Sequence, residues 1–205
     1  MNKINYQIEL DKIINSIDKS NPPRLFLHSC CAPCSSYTLE YLSNYFDITV
    51  YYFNPNISPK EEFDKRFAEQ KRLIDSLPAK NPIKLVLGEY DYNDFLQIAR
   101  GLENVAEGGE RCFRCYRLRL ESTARIAKEQ GFDYFCTTLS ISPLKNSQKI
   151  NQIGYEVAQK YGIKWLPSDF KKREGYKRSI ELSKEYNLYR QSFCGCVFSK
   201  ENNNG

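Results

Sequence analysis

Eight cysteines in 205 residues are the side chains best able to do unusual chemistry, and they fall in groups. Cys30 and Cys31 are adjacent, with Cys34 three residues on. Cys112 and Cys115 form a Cys-x-x-Cys, Cys194 and Cys196 flank Gly195, and Cys136 stands apart. Thiolates bind soft metals, and sulfur ligands select iron–sulfur clusters, zinc or copper(I) over magnesium or calcium. The adjacent pair and the distant Cys-x-x-Cys together supply four ligands, Cys30, Cys31, Cys112 and Cys115, and Cys34 is a further candidate. Zinc is the inorganic rival, because four cysteines make a closed structural site. An adjacent pair is awkward around one tetrahedral ion and suits a larger cluster whose irons are separate anchoring points. In Cys194-Gly195-Cys196 two thiols can close a small, strained ring, and strained or exposed disulfides tend to be redox-active. The bland alternative for that pair is packing or one more metal ligand. Cys136, within Phe132-Asp133-Tyr134-Phe135-Cys136, reads as a packing residue.

Distant thiols need a scaffold that brings them together. Short apolar runs recur at 24–28, 48–53, 83–87, 132–137 and 163–166, and read as five strands. Helical patterns lie between them at 35–45, 59–77, 112–130 and 147–161, the last two stopping at Gly131 and Gly162, and an amphipathic helix over 6–17 precedes them all. Strand and helix alternate, which predicts an α/β fold with an open, mainly parallel five-stranded sheet and helices on both faces. One domain is expected over 1–200, with a cysteine-bearing C-terminal segment and a disordered tail at 201–205. Ligands in such sheets bind beyond the carboxyl ends of the strands. Cys30, Cys31 and Cys34 follow the first strand directly, and Cys112 and Cys115 share one face at the start of a helix. Helix N-termini favour thiolate over thiol at Cys34, Cys112 and Cys115.

Composition narrows the function classes. Hydrophobic residues make up 41% and charged residues 27%, with 15 Tyr and 12 Phe, enough apolar surface to close a core. No stretch approaches the ~20 apolar residues of a membrane helix, and the N-terminus shows no signal core, so no membrane partner and a cytoplasmic location are expected. Clustered cysteines in that setting argue for metal or redox chemistry over a disulfide scaffold. A net charge of +5 is mild and predicts little. The local run Lys171-Lys172-Arg173 with Lys177 and Arg178 is either a solvated helix face or a phosphate contact. The loop from Leu27 to Ser36 has no glycine and carries Pro33, so the backbone cradle that grips a nucleotide phosphate is missing and no ATP is expected. His28 is the only histidine and reads as a core residue, while Tyr116, Asp133, Tyr155 and Tyr176 are candidate proton donors.

Four segments carry a family resemblance: Cys30-Cys31-Ala32-Pro33-Cys34, Arg111-Cys112-Phe113-Arg114-Cys115-Tyr116, Thr137 through Pro143, and Tyr189 through Cys196, with Asp169-Phe170-Lys171 and Gly175-Tyr176 between. In this order they resemble the QueH-type epoxyqueuosine reductases across nearly the whole chain. The resemblance implies a Rossmann-like domain of the HUP type. It further implies removal of the epoxide oxygen of epoxyqueuosine in tRNA, the last step of queuosine biosynthesis, by an oxidoreductase that does not use cobalamin. Carried onto this chain, it implies a [4Fe–4S] cluster on Cys30, Cys31, Cys112 and Cys115 and a redox-active disulfide between Cys194 and Cys196, with an unidentified electron donor. A second metal using Cys34 stays open. Thr137, Thr138 and Ser140 are read as hydrogen-bonding the modified base or ribose, or equally as a helix cap. Lys145, Arg173 and Arg178 are candidates for backbone phosphates, and Tyr176 for stacking on an extruded base. The rival classes are a zinc-stabilised RNA-binding module and a cluster-dependent tRNA sulfurtransferase.

Overall fold

Each of the five apolar runs forms a strand in the computed structural model, which describes residues 4–201. In chain order the elements are α1 (Tyr6–Asn15), β1 (Arg24–His28), α2 (Ala32–Leu42), β2 (Asp47–Tyr52), α3 (Lys60–Ser76), β3 (Ile83–Leu87) and α4 (Tyr92–Ala99). After them come α5 (Glu110–Glu129), β4 (Tyr134–Thr137), a 3-10 turn (Thr138–Ile141), α6 (Ser147–Tyr161), β5 (Lys164–Trp165), α7 (Gly175–Glu185) and α8 (Val197–Glu201). All strand pairs are parallel, in the order β3-β2-β1-β4-β5.

Right-handed crossovers explain the layers. The path from β1 out to β3 puts α2 and α3 on one face, and the path through α5 to β4 and on to β5 puts α5 and α6 on the other. Contacts agree, with α2 packed on α3 and α7, and α5 packed on α4 and α6. The central strand β1 is covered on both faces, and Leu25, Phe26 and Leu27 are fully buried, which is why it reads as an unbroken apolar run. Phe26 stacks on Tyr51 at 5.1 Å and meets Phe132 at 4.9 Å. The edge strand β3 leaves Val86 and Leu87 exposed.

Helix boundaries matter for the cysteines. α2 starts at Ala32, three residues before the expected position, because Pro33 suits the first helical turn. Cys31 thereby becomes the N-cap and Cys34 falls in the first turn. α5 begins at Glu110, so Cys112 and Cys115 lie in its first two turns. Three helices are additional to the expected set. α4 has only eight residues, too few for a clear period, and α8 has five. α7 starts after Arg173 and Glu174, both in the left-handed region with φ of 50° and 62°, and has no side-chain cap to announce it. Of the expected disordered tail, positions 202–205 lie outside the described residues, and Glu201 ends α8. Among the described residues no helix is long and apolar enough to cross a membrane.

Candidate metal and redox site

The strand order reverses direction at β1, and such a switch point opens a crevice at the carboxyl ends of the diverging strands, here β1 and β4. Cys30, Cys31 and Cys34 stand there, with their sulfurs all within 4.8 Å of one another. Cys30 Sγ lies 3.8 Å from Cys31 Sγ and 3.7 Å from Thr138 Oγ1, at the end of β4. A polar set fixes the turn that carries them. Gln70 Oε1 accepts hydrogen bonds from Ser29 and Ser35 at 2.7 and 2.8 Å, and Asn54 Nδ2 donates to the Ser29 carbonyl at 2.8 Å. Hydrogen bonds from Cys31 and Cys34 hold the Cys30 thiol well below its ordinary pKa. The same contact pushes Cys31 up to about 12, and contact with Cys30 and Cys31 raises Cys34 as well. Three sulfurs this close cannot all be anionic without a cation between them, and a bound metal ion would deprotonate them together.

Cys112 and Cys115 belong to a neighbouring group. With Cys194 and Cys196 they line a small cavity of about 20 Å³. Gly108 N–H donates to Cys112 Sγ at 3.3 Å, while burial pushes the Cys115 thiol up to about 11. Two buried arginines of α5 share this wall. Arg111 Nη1 donates to the carbonyls of Leu102, Glu103 and Val105 at 2.9, 2.8 and 2.5 Å, and Arg119 Nε donates to the Cys115 carbonyl at 3.1 Å. Among the described residues Arg111 Nε and Arg119 Nη2 have no hydrogen-bond partner, although both are buried. Leaving such donors unpaired is costly, and an anionic group bound beside them would satisfy them. Sulfur ligands beside unpaired cationic donors fit a thiolate-held metal centre of net negative charge.

The two groups are adjacent without merging. Among the described residues, Cys30, Cys31 and Cys34 are the only metal-binding side chains that gather three or more within 4.8 Å. They flank a larger cavity of about 250 Å³, with Cys30 and Cys34 in its wall, and Arg119, Lys145, Glu107 and Cys194 line both cavities.

The C-terminal segment is held from far along the chain. Arg66, only 2% exposed, donates to the Cys194 carbonyl at 3.2 Å and the Phe193 carbonyl at 3.4 Å. Its Nε pairs with Glu62 at 2.6 Å, and Ser58 N–H donates to the Gly195 carbonyl at 2.9 Å. Gly195 has φ of 107°, and a Cβ there would approach Ile57 to 2.8 Å, so the residue between the two thiols has to be glycine. All eight cysteines are free thiols.

The other expected site residues are distributed as follows. Thr137 caps the 3-10 turn by accepting from Leu139 N–H at 3.2 Å. Thr138 meets Cys30, and buried Ser140 pairs with Ser168 Oγ at 3.0 Å. Lys145 Nζ donates to Cys194 Sγ at 3.4 Å. Arg173 is paired with Asp11, and Arg178 donates to Glu40 at 2.6 and 3.0 Å. Tyr176, 37% exposed, lines the larger cavity. Tyr116 lines the smaller one, with its pKa pushed up to about 12 by burial. Asp133 accepts from Arg24 N–H at 2.8 Å, and Tyr155 faces the Tyr6 ring, so neither is at the crevice. His28 is a core residue: Nε2 donates to the Phe53 carbonyl at 3.0 Å, Nδ1 accepts from Thr137 Oγ1 at 2.8 Å, and burial lowers its pKa to about 3. Cys136 is fully buried and donates to the Leu166 carbonyl at 3.2 Å. Arg66, Arg111 and Arg119 join the site without having been expected there from the sequence. The signal for two of them is that positions 111, 115 and 119 repeat every four residues and so share a helix face with a cysteine.

Comparison with known proteins identifies the family. The model of the family described as "Epoxyqueuosine reductase QueH" matches residues 25–202. A protein of that name from Staphylococcus epidermidis is 46% identical over 202 residues, covering 96% of this chain and 85% of the relative. One from Streptococcus pyogenes is 46% identical over 200 residues, covering 96% and 78%. One from Thermotoga maritima is 35% identical over 178 residues, covering 85% and 89%.

Proposed function

The chain belongs to the QueH family of epoxyqueuosine reductases, and from that premise we propose that it reduces epoxyqueuosine to queuosine in tRNA with a [4Fe–4S] cluster held by Cys30, Cys31, Cys112 and Cys115. In this reading Cys194 and Cys196 are the redox-active pair, Cys34 is available to an additional metal ion, and the work is done in the cytoplasm, where thiols stay reduced. The reading rests most heavily on one observation: two cysteine groups flank adjoining cavities that share Arg119, whose buried Nη2 has no partner among the described residues. A bound cluster supplies electrons one at a time.

The reaction takes two electrons and two protons, breaks both epoxide C–O bonds, leaves a C=C bond and releases the oxygen as water. The chain's own share is binding and exclusion. Pro33, Leu139 and Ile141 give the larger cavity an apolar wall beside Cys30 and Cys34, which keeps bulk water from the reacting bonds. Tyr176 offers an exposed ring at the same cavity for stacking on the extruded base. Arg173 and Arg178 exchange their carboxylate partners for tRNA phosphates, contacts that give affinity without reading sequence.

The test is mass analysis of nucleosides from epoxyqueuosine-containing tRNA after anaerobic reaction with iron- and sulfide-loaded protein and a reductant. Conversion to queuosine without ATP is the expected result. Loaded protein that leaves the epoxide intact across a range of reductants would refute the proposal.

A further inference from the structure

The two sulfurs of Cys194-Gly195-Cys196 are not equivalent. Lys145, in the loop between the 3-10 turn and α6, donates from Nζ to Cys194 Sγ at 3.4 Å. Cys194 also lines the 250 Å³ cavity, through which a partner reaches it. Cys196 is absent from that wall. It is 8% exposed and packs with Phe95, Ala99 and Cys115.

We propose that Lys145 is the charge partner of Cys194 and makes it, rather than Cys196, the sulfur through which the pair exchanges with an incoming dithiol. The assignment rests on the reading of Cys194 and Cys196 as a redox pair. In the exchange, a donor thiolate attacks Cys194 Sγ, the S–S bond breaks, and Cys196 leaves and takes up a proton. The donor's second thiolate then attacks the donor sulfur of the mixed disulfide, forming the donor disulfide and releasing Cys194 beside Lys145. Two electrons pass from donor to pair. The exchange spreads negative charge over attacking, central and leaving sulfurs, and access decides which sulfur is attacked. A fixed ammonium against the central sulfur stabilises that charge. The charged and titratable groups that share the two cavities of Cys194 are Arg111, Cys112, Cys115, Tyr116 and Arg119 on α5, Glu107 before it, Arg66 on α3, Tyr176 on α7, Arg190 and Cys196 on its own segment, and Cys30 and Cys34 across the larger cavity. Within the described contacts only Lys145 places a side-chain cation within hydrogen-bond reach of its sulfur.

The experiment is timed alkylation with iodoacetamide on the anaerobic, metal-loaded and pre-reduced protein, read by peptide mass with iron content measured in parallel. Cys194 is expected to be modified before Cys196. Lys145→Met is expected to slow Cys194 about ten-fold at neutral pH, and Lys145→Arg to restore it to within about two-fold, with the Cys196 rate unmoved. Modification of Cys196 first in the unaltered protein overturns the assignment without reference to any variant. Equal Cys194 rates with Lys and Met at 145 overturn the role of the lysine. Neither readout uses epoxide turnover, so an inactive protein that labels at Cys194 first refutes the proposed reaction and leaves this inference standing.

Discussion

The turn after β1 and the segment around Gly195 both present cysteines to the same crevice, but they are built in opposite ways. Cys30, Cys31 and Cys34 are neighbours in sequence, and their geometry comes from a central strand running into a helix, reinforced by Ser29, Ser35, Asn54 and Gln70. Cys194 and Cys196 have no regular element directly under them until α8, and their position comes from Arg66, Ser58 and Ile57, more than a hundred residues away. The first region is made by topology, and the second by a clamp. Topology is hard to lose by a point change; a clamp can be lost with one side chain.

Substitutions sharpen the contrast, and the largest effect is expected where a metal is held. Cys30→Ser should strip iron and sulfide and lower queuosine formation more than about 100-fold. The metal-free protein should keep its thermal midpoint, because only one small polar atom has changed in a turn fixed by other bonds. Arg66→Met comes next. It takes the buried cation from Glu62, which keeps only the Tyr189 hydroxyl, and removes the donors to the Cys194 and Phe193 carbonyls, and breaking a buried pair of this kind costs about 3 kcal/mol. Iron should be retained while turnover falls about ten-fold, as measured by iron assay, chemical denaturation and tRNA mass analysis. If Cys30→Ser instead destabilised the metal-free chain as much as Arg66→Met, the distinction between the two regions would fail. Gly195→Ala introduces backbone strain on the order of 1–3 kcal/mol confined to the clamp, so turnover should drop with iron content intact. The smallest effect belongs to Cys136→Ala, which loses a hydrogen bond to Leu166 and about 1 kcal/mol, with neither iron nor turnover changed.

The sequence is most readable where structure is local. All five strands can be placed from apolar runs, and Ile83–Leu87 and Arg24–His28 match to the residue; the central strands read so because the sheet buries both their faces, while edge strand β3 keeps its aliphatic run with the carboxyl end exposed. Helix starts are less readable: α7 has a left-handed entry with no cap, and α4 is too short for its period to stand out. At the site, spacing revealed the cysteine groups, since sulfur chemistry depends on which residues are present. The cations around them were hidden. Arg66, Arg111 and Arg119 sit in helices rich in Lys, Arg and Glu, where an arginine is ordinarily solvated. Their burial follows from which helix face meets the C-terminal segment, a tertiary fact. The same holds for the contact of Lys145 with the Cys194 sulfur.

Cys194, Arg119, Lys145 and Glu107 each present a surface to both chambers of the crevice. A partition made of charged side chains couples the compartments it divides. An anion seated on one side draws the shared guanidinium and ammonium toward itself and lowers the attraction felt on the other. Order of filling then carries thermodynamic weight: whichever occupant arrives second meets a wall whose positive charge is already engaged, and reciprocity requires that it loosen the first by the same factor.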